Sequence, residues 1–147
     1  MAELSRAVDG TNSLLRDTEE KLKLMWKAIE RTPEVSVEDI AKIKALRNEI
    51  DDLQIKLNGD ASLARRNFET PPSISGRVGT IVYGLWTSTS APTQTQRDSY
   101  EVAAEAFEPV LSRVKEMVTQ DIPELEAALE SAKAPYTPGR IPEWKND

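Results

Sequence analysis

Apolar residues recur on a helical period almost from the first residue. Val8, Leu15, Leu22 and Ile29 are spaced by sevens, with Leu4 and Met25 on the intervening seam, a pattern that predicts one long amphipathic helix over about residues 3–31. Its polar side sets Asp17 before Lys21 and Glu19 before Lys23. Acid before base at four-residue spacing is the favourable order, worth about 0.2–0.5 kcal/mol per pair. Thr11 and Thr18 stand where the heptad asks for bulk, and Gly10 costs about 1 kcal/mol against alanine, so the first turns are expected to fray. Thr32-Pro33 ends the pattern, and Ser36 with Asp39 three residues on reads as an N-cap followed by a first-turn carboxylate. The second seam is cleaner: Ile43, Leu46, Ile50, Leu53 and Leu57 alternate by three and four, and Asn58-Gly59 supplies a closing turn. A helix over 36–58, joined to the first by a short connection, predicts a helical hairpin whose arms run antiparallel.

Between residues 60 and 92 the pattern loosens. Pro71-Pro72, three glycines and the polar run Thr87-Ser88-Thr89-Ser90 interrupt it, yet a structureless loop of that length is unusual inside a compact domain. Ile74, Val78, Ile81 and Leu85 recur by four, three and four, so a short helix over 73–86 with Ser73 as its cap is expected. The competing reading is a strand, because Thr80-Ile81-Val82-Tyr83 is β-branched and aromatic. After Pro92, Thr93 and Gln96 have the spacing of a capping box. They open the longest apolar pattern of the chain, from Tyr100 through Phe107, Val110, Val114 and Met117 to Leu125 and Leu129, which predicts helix over 94–133. Pro109 is expected to bend that helix without ending it. Pro123 is equally consistent with a kink or a fresh start, since Asp121 and Glu124 flank it as capping and first-turn residues. Residues 134–147 carry three prolines and predict an extended tail lying along the bundle, held by Tyr136, Ile141 and Trp144. The whole reads as an all-α, antiparallel up-down bundle of three long helices and one short one, in a single domain.

Composition then removes chemistries. The 147 residues include no histidine and no cysteine, which excludes His-dependent triads, His- or thiolate-ligated metal sites and disulfide frameworks. With 19 basic against 25 acidic side chains the net charge is −6, the wrong sign for binding nucleic acid by counterion release. No apolar run is long enough for a membrane span, and the first fifteen residues lack the basic and apolar segments of a signal peptide, so a soluble chain is expected. Glu101, Glu105 and Glu108 share a helix face, but the di-metal bundle template needs histidines beside its glutamates, and a solvated acidic face is the simpler reading. Gly76-Arg77-Val78-Gly79 has the bare form of a nucleic-acid clamp without the charge to support it. No catalytic residue, metal ligand or cofactor is expected.

The aromatic residues are few, and Trp26 falls on or beside the first seam and reads as core. Tyr83, Trp86, Tyr136 and Trp144 fall in or near the irregular segments, where an aromatic side chain either clamps a loop to the bundle or contacts a partner. Arg77 and Arg140 lie among them as hydrogen-bond donors.

The segment PPSISGRVGTIVYGLWTSTSAPTQTQRDSYEVAAEAFEPVL, followed after the long helix by APYTPGRIPEW, resembles the C-terminal helical region of large bacterial sortilin-like proteins. These are also described as glycosyl hydrolases with BNR and Asp-box repeats, and their body is a β-propeller. VDGTNSLLRDTEEKLK near the start and the NGD turn after the second helix extend the resemblance over nearly the whole chain. No Asp-box of the form S-x-D-x-G-x-T-W occurs, nor strand-rich sequence for a propeller blade. The resemblance therefore implies a C-terminal domain of a larger exported protein, periplasmic or at the cell surface. It implies a non-catalytic accessory module with the β-propeller body as its partner, and it supplies no catalytic residue. Two other readings stand beside it: a module that binds a glycan or peptide through the exposed aromatic side chains with Arg77 or Arg140, and a coiled coil pairing two copies into a homodimer through the first two helices.

Overall fold

The structure is a computed structural model that describes residues 2–87 and 91–145. Residues 88–90 of the polar run and the last two residues of the tail lie outside the described residues. Among the described residues every regular element is helical: α1 (Ala2–Ile29), α2 (Val37–Asn58), α3 (Ala61–Arg65), α4 (Ile74–Trp86), α5 (Gln94–Glu116) and α6 (Ile122–Ser131), with a π-helical turn, Met117–Asp121, between the last two. The strand reading of residues 80–83 is thereby overturned. Those residues form the middle of α4, whose apolar face carries Ile74, Val78 and Ile81 into the core.

Local chemistry accounts for the helix starts. The Asp39 amide donates to Ser36 Oγ at 3.1 Å, and the Ser36 hydroxyl donates in turn to the Asp39 carboxylate at 2.7 Å. The Gly76 amide donates to Ser73 Oγ at 3.1 Å. Thr93 and Gln96 form a reciprocal capping box, with the Thr93 amide donating to Gln96 Oε1 at 2.9 Å and the Gln96 amide to Thr93 Oγ1 at 3.3 Å. Each cap satisfies a donor that a helix start otherwise leaves unpaired, an effect of about 1 kcal/mol. At the end of α2, Gly59 takes φ +85° and its amide donates to the Ile55 carbonyl at 2.7 Å.

The core is one cluster drawn from α1, α2, α4, α5 and α6. Leu15, Leu22, Met25, Ile43, Ile50, Leu57, Val114, Met117, Leu125 and Leu129 are almost fully buried in it, and burial of a side chain of this size contributes roughly 1.5–3 kcal/mol. Thr11 and Thr18 join this buried seam, their hydroxyls donating to the Ala7 and Leu14 carbonyls at 2.8 and 2.7 Å. That back-bond is how a hydroxyl sits in a core without an unpaired donor. Trp26 departs from its expected place in the core. It is half-buried at the edge, with Lys44 5.4 Å and Arg47 5.8 Å from its ring and its indole N–H donating to Glu30 at 3.0 Å, so it clamps α1 to α2 from the rim.

Polar contacts link the helices at fixed points. Asn58 of α2 donates to Asn12 of α1 at 2.7 Å, Asn12 to Ser75 of α4 at 3.4 Å, and Ser75 back to Asn58 at 2.9 Å, closing a ring across three helices. Gln54 donates to Glu19 at 3.0 Å. Residues 61–72, α3 included, are exposed throughout, so packing in this segment resumes only at Ile74.

After α6 the chain is held by buried Ala134 and Thr137, with residues 135–138 facing Leu24, Lys27 and Ala28 of α1. Ile141 and Trp144, expected to hold this segment, are 86% and 80% exposed. The small residues can enter the crevice beside α1, and the large ones are left outside it.

Candidate functional site

The six side chains singled out in the sequence do not converge on one site. Arg77 lies on α4 and lines a groove of about 580 Å³ between α2, α4 and α5. Tyr83 and Trp86 lie on the same helix but are 71% and 89% exposed. Trp86 borders a second concavity of about 420 Å³, formed with Val82, Leu85 and the first turns of α1 at Ala2, Ser5, Arg6 and Asp9. Tyr83 and Trp86 face outward at the end of α4 because the inward positions are already filled by Ile74, Val78 and Ile81. The remainder sit after α6. The Arg140 guanidinium lies 5.0 Å from the Tyr136 ring and pairs with Glu130 of α6, and the Tyr136 hydroxyl accepts the Glu143 amide at 3.2 Å. Arg140 Nη1 and Thr137 Oγ1 are buried without a hydrogen-bond partner among the described residues. Arg140 and Tyr136 therefore hold their own segment together, while Trp144 stays exposed.

A charged cluster that the sequence reading missed joins α2 to the π turn. Arg113 donates bidentately to Glu49, Nε to Oε1 at 2.6 Å and Nη2 to Oε2 at 2.8 Å. Its Nη2 also lies 2.9 Å from Asp121 and its Nη1 3.2 Å from Glu116. Lys42 of α2 reaches both Asp121, at 3.6 Å, and Glu124. The hydrogen bonds that Arg113 donates to Glu49, and then those to Asp121, push its pKa upward, and the bond that Lys42 donates to Glu124 likewise raises that of Lys42. On α1, the Gln54 hydrogen bond and then Lys23 lower the pKa of Glu19. The partners on different helices sit 35 residues apart for Glu19 and Gln54, 64 for Glu49 and Arg113 and 82 for Lys42 and Glu124, so no local spacing betrays them.

The arrangement is one of surface concavities and interhelical ion pairs. Among the described residues no group of three or more carboxylates stands close enough to hold a metal ion, and Glu101, Glu105 and Glu108 are all exposed on α5. Gly76-Arg77-Val78-Gly79 lies within α4 and forms no clamp loop. No helix among the described residues is long and apolar enough to cross a membrane. Comparison with protein-family models, with curated proteins and with solved structures gives no match to this chain.

Proposed function

We propose that this chain is a non-catalytic interaction module, a helical domain that docks on the body of a larger protein through the outward face of α4. The observation that carries the reading is Trp86, 89% exposed at the edge of a concavity whose other walls include Val82 and Leu85. An exposed tryptophan beside an apolar concavity is the composition of an interface hot spot. In this reading the helices form an antiparallel up-down bundle. The pairings Asn12 with Asn58, Glu19 with Gln54 and Trp26 with Lys44, whose numbers rise on α1 as they fall on α2, support that arrangement. The proline-rich segment after α6 extends along the C-terminal end of α1, as the crevice shared by residues 135–138 with Leu24 and Ala28 suggests.

The resemblance to sortilin-like and Asp-box repeat proteins supplies the partner: a β-propeller body, in a protein exported to the periplasm or cell surface. A coiled-coil homodimer is less well supported, because the seam residues of α1 and α2 are already buried within one chain. The test is calorimetric titration of the domain with a separately expressed propeller body of that family. A complex of micromolar affinity or tighter, weakened at least tenfold by Trp86→Ala while far-UV circular dichroism and thermal stability stay unchanged, is the expected result. Absence of binding, or equal binding by the variant, removes the reading.

A further inference from the structure

The groove between α2, α4 and α5 is separate from the Trp86 face and has the makings of a ligand site of its own. Its volume of about 580 Å³ falls in the range of small-molecule sites. Leu53, Ile74 and Val110, one from each helix, give it an apolar floor. Ala106 stands on the α5 wall, where a side chain ending at Cβ leaves the space open.

Charge selects the ligand. Arg113 is engaged bidentately by Glu49 and also meets Asp121 and Glu116, while Asp52 and Lys56 stand one turn apart on α2 with no ion pair between them among the described residues. Arg77 makes no ion pair among the described residues. With Arg113 already enclosed by three carboxylates, Arg77 and Lys56 face Asp52 alone, which leaves that part of the lining one positive charge in excess in a chain whose net charge is −6.

We propose that this groove binds an amphipathic monocarboxylate, a small molecule with one carboxylate and an apolar body. The Arg77 guanidinium presents the planar fork that matches a carboxylate, whereas a compact ammonium would not. The apolar body lies over Leu53, Ile74 and Val110. A dianion meets Glu49 and Asp52 with only one excess charge to compensate it, a cation meets Arg77, and a neutral amphiphile leaves the guanidinium without a partner.

The experiment is a titration of the isotope-labelled full chain with decanoate, below its micellar concentration and at neutral pH, followed by amide and guanidinium chemical shifts. Decanol and decyltrimethylammonium serve as neutral and cationic probes with the same apolar chain. Saturable shifts centred on Ile74, Arg77 and Val110 are expected for decanoate, with binding at least tenfold weaker for either control amphiphile. Arg77→Gln should weaken decanoate binding at least tenfold with an unchanged circular dichroism spectrum. Ala106→Leu should weaken it by filling the space while leaving the charges in place. The proposal is overturned if decanoate does not saturate, if its shifts centre on Val82, Leu85 and Trp86, if decanol binds as tightly, or if Arg77→Gln binds like the parent. Docking through Trp86 is tested separately, by its own variant against the propeller body.

Discussion

Lys133 and Asn67 hold the left-handed backbone conformation, with φ +55° and +54°. Both close helices by the same device. The Ala134 amide donates to the Leu129 carbonyl at 2.9 Å and the Lys133 amide to Glu130 at 3.0 Å, while Phe68 and Asn67 repeat the pattern on Leu63 and Ala64. Asparagine adopts that conformation more readily than lysine, whose Cβ crowds the following carbonyl at a cost of about 1–2 kcal/mol. Lys133→Gly is therefore expected to stabilise the chain by about 1 kcal/mol, less the extra freedom glycine gives the unfolded state, a gain that urea denaturation would read as a higher midpoint. The two buried threonines lead to a contrast at the same scale. Thr18→Val keeps the shape and removes a hydroxyl bonded only to its own helix, so its effect should stay within about 1 kcal/mol. Leu22→Ala, at a site with no exposure, should cost about 2–5 kcal/mol through the cavity it leaves. Equal midpoints for those two variants would mean that the seam of α1 is not packed as described.

The π turn explains how α5 and α6 share one core face. Val110, Val114 and Met117 step by four and three, but the next buried residue is Ile122, five positions on. An uninterrupted α-helix would bring Asp121 to the buried face at that step. One extra residue in the turn, closed by the Ile122 amide donating to the Met117 carbonyl, brings Ile122 there and leaves Asp121 to Arg113 and Lys42. Pro123 is the second residue of α6, directly after the π turn. Deleting exposed Thr119 should convert the turn to regular α-helix with Ile122 still in phase, and the product should fold with a cooperative thermal transition. Deleting Ala127 should rotate Leu129 off the core and abolish that transition. Arg113→Met tests the cluster itself. Its bidentate geometry places it above ordinary surface pairs, and the loss should be about 1–2 kcal/mol, reduced by high salt because all the partners are part-exposed. The caps at Ser36, Ser73 and Thr93 and the apolar face of α4 were legible in the sequence, because each is set by residues within one or two turns. The five-residue step from Met117 to Ile122 was also present in it, and it is the one local signal that marks the turn.

Across the whole molecule, the missing histidines and cysteines give stability a characteristic pH dependence. Glu19 has its pKa lowered by folding, so its contribution is present above the unfolded carboxylate range and is lost as pH falls through the lower folded value. Lys42 has its pKa raised, so its contribution is present below the unfolded lysine value and is lost only as pH rises through the higher folded one. No side chain of ordinary pKa titrates between, and urea midpoints should be flat from about pH 6 to 9, falling on either side. Glu19→Gln should flatten part of the acid limb; a midpoint that changes sharply near pH 7 would contradict this account. By itself the sequence determined the helical class, the principal apolar seams and the caps, since these follow from periodicity and from hydrogen bonds that close within a turn. Only the tertiary structure decided that Trp26 is a rim clamp, that Ala134 and Thr137 anchor the final segment in place of Ile141 and Trp144, and that Arg113 meets Glu49 and Asp121. The same holds for the groove at Arg77 and the concavity at Trp86. Each of these depends on which faces of distant helices meet, and a face is assigned a neighbour only when the whole core closes.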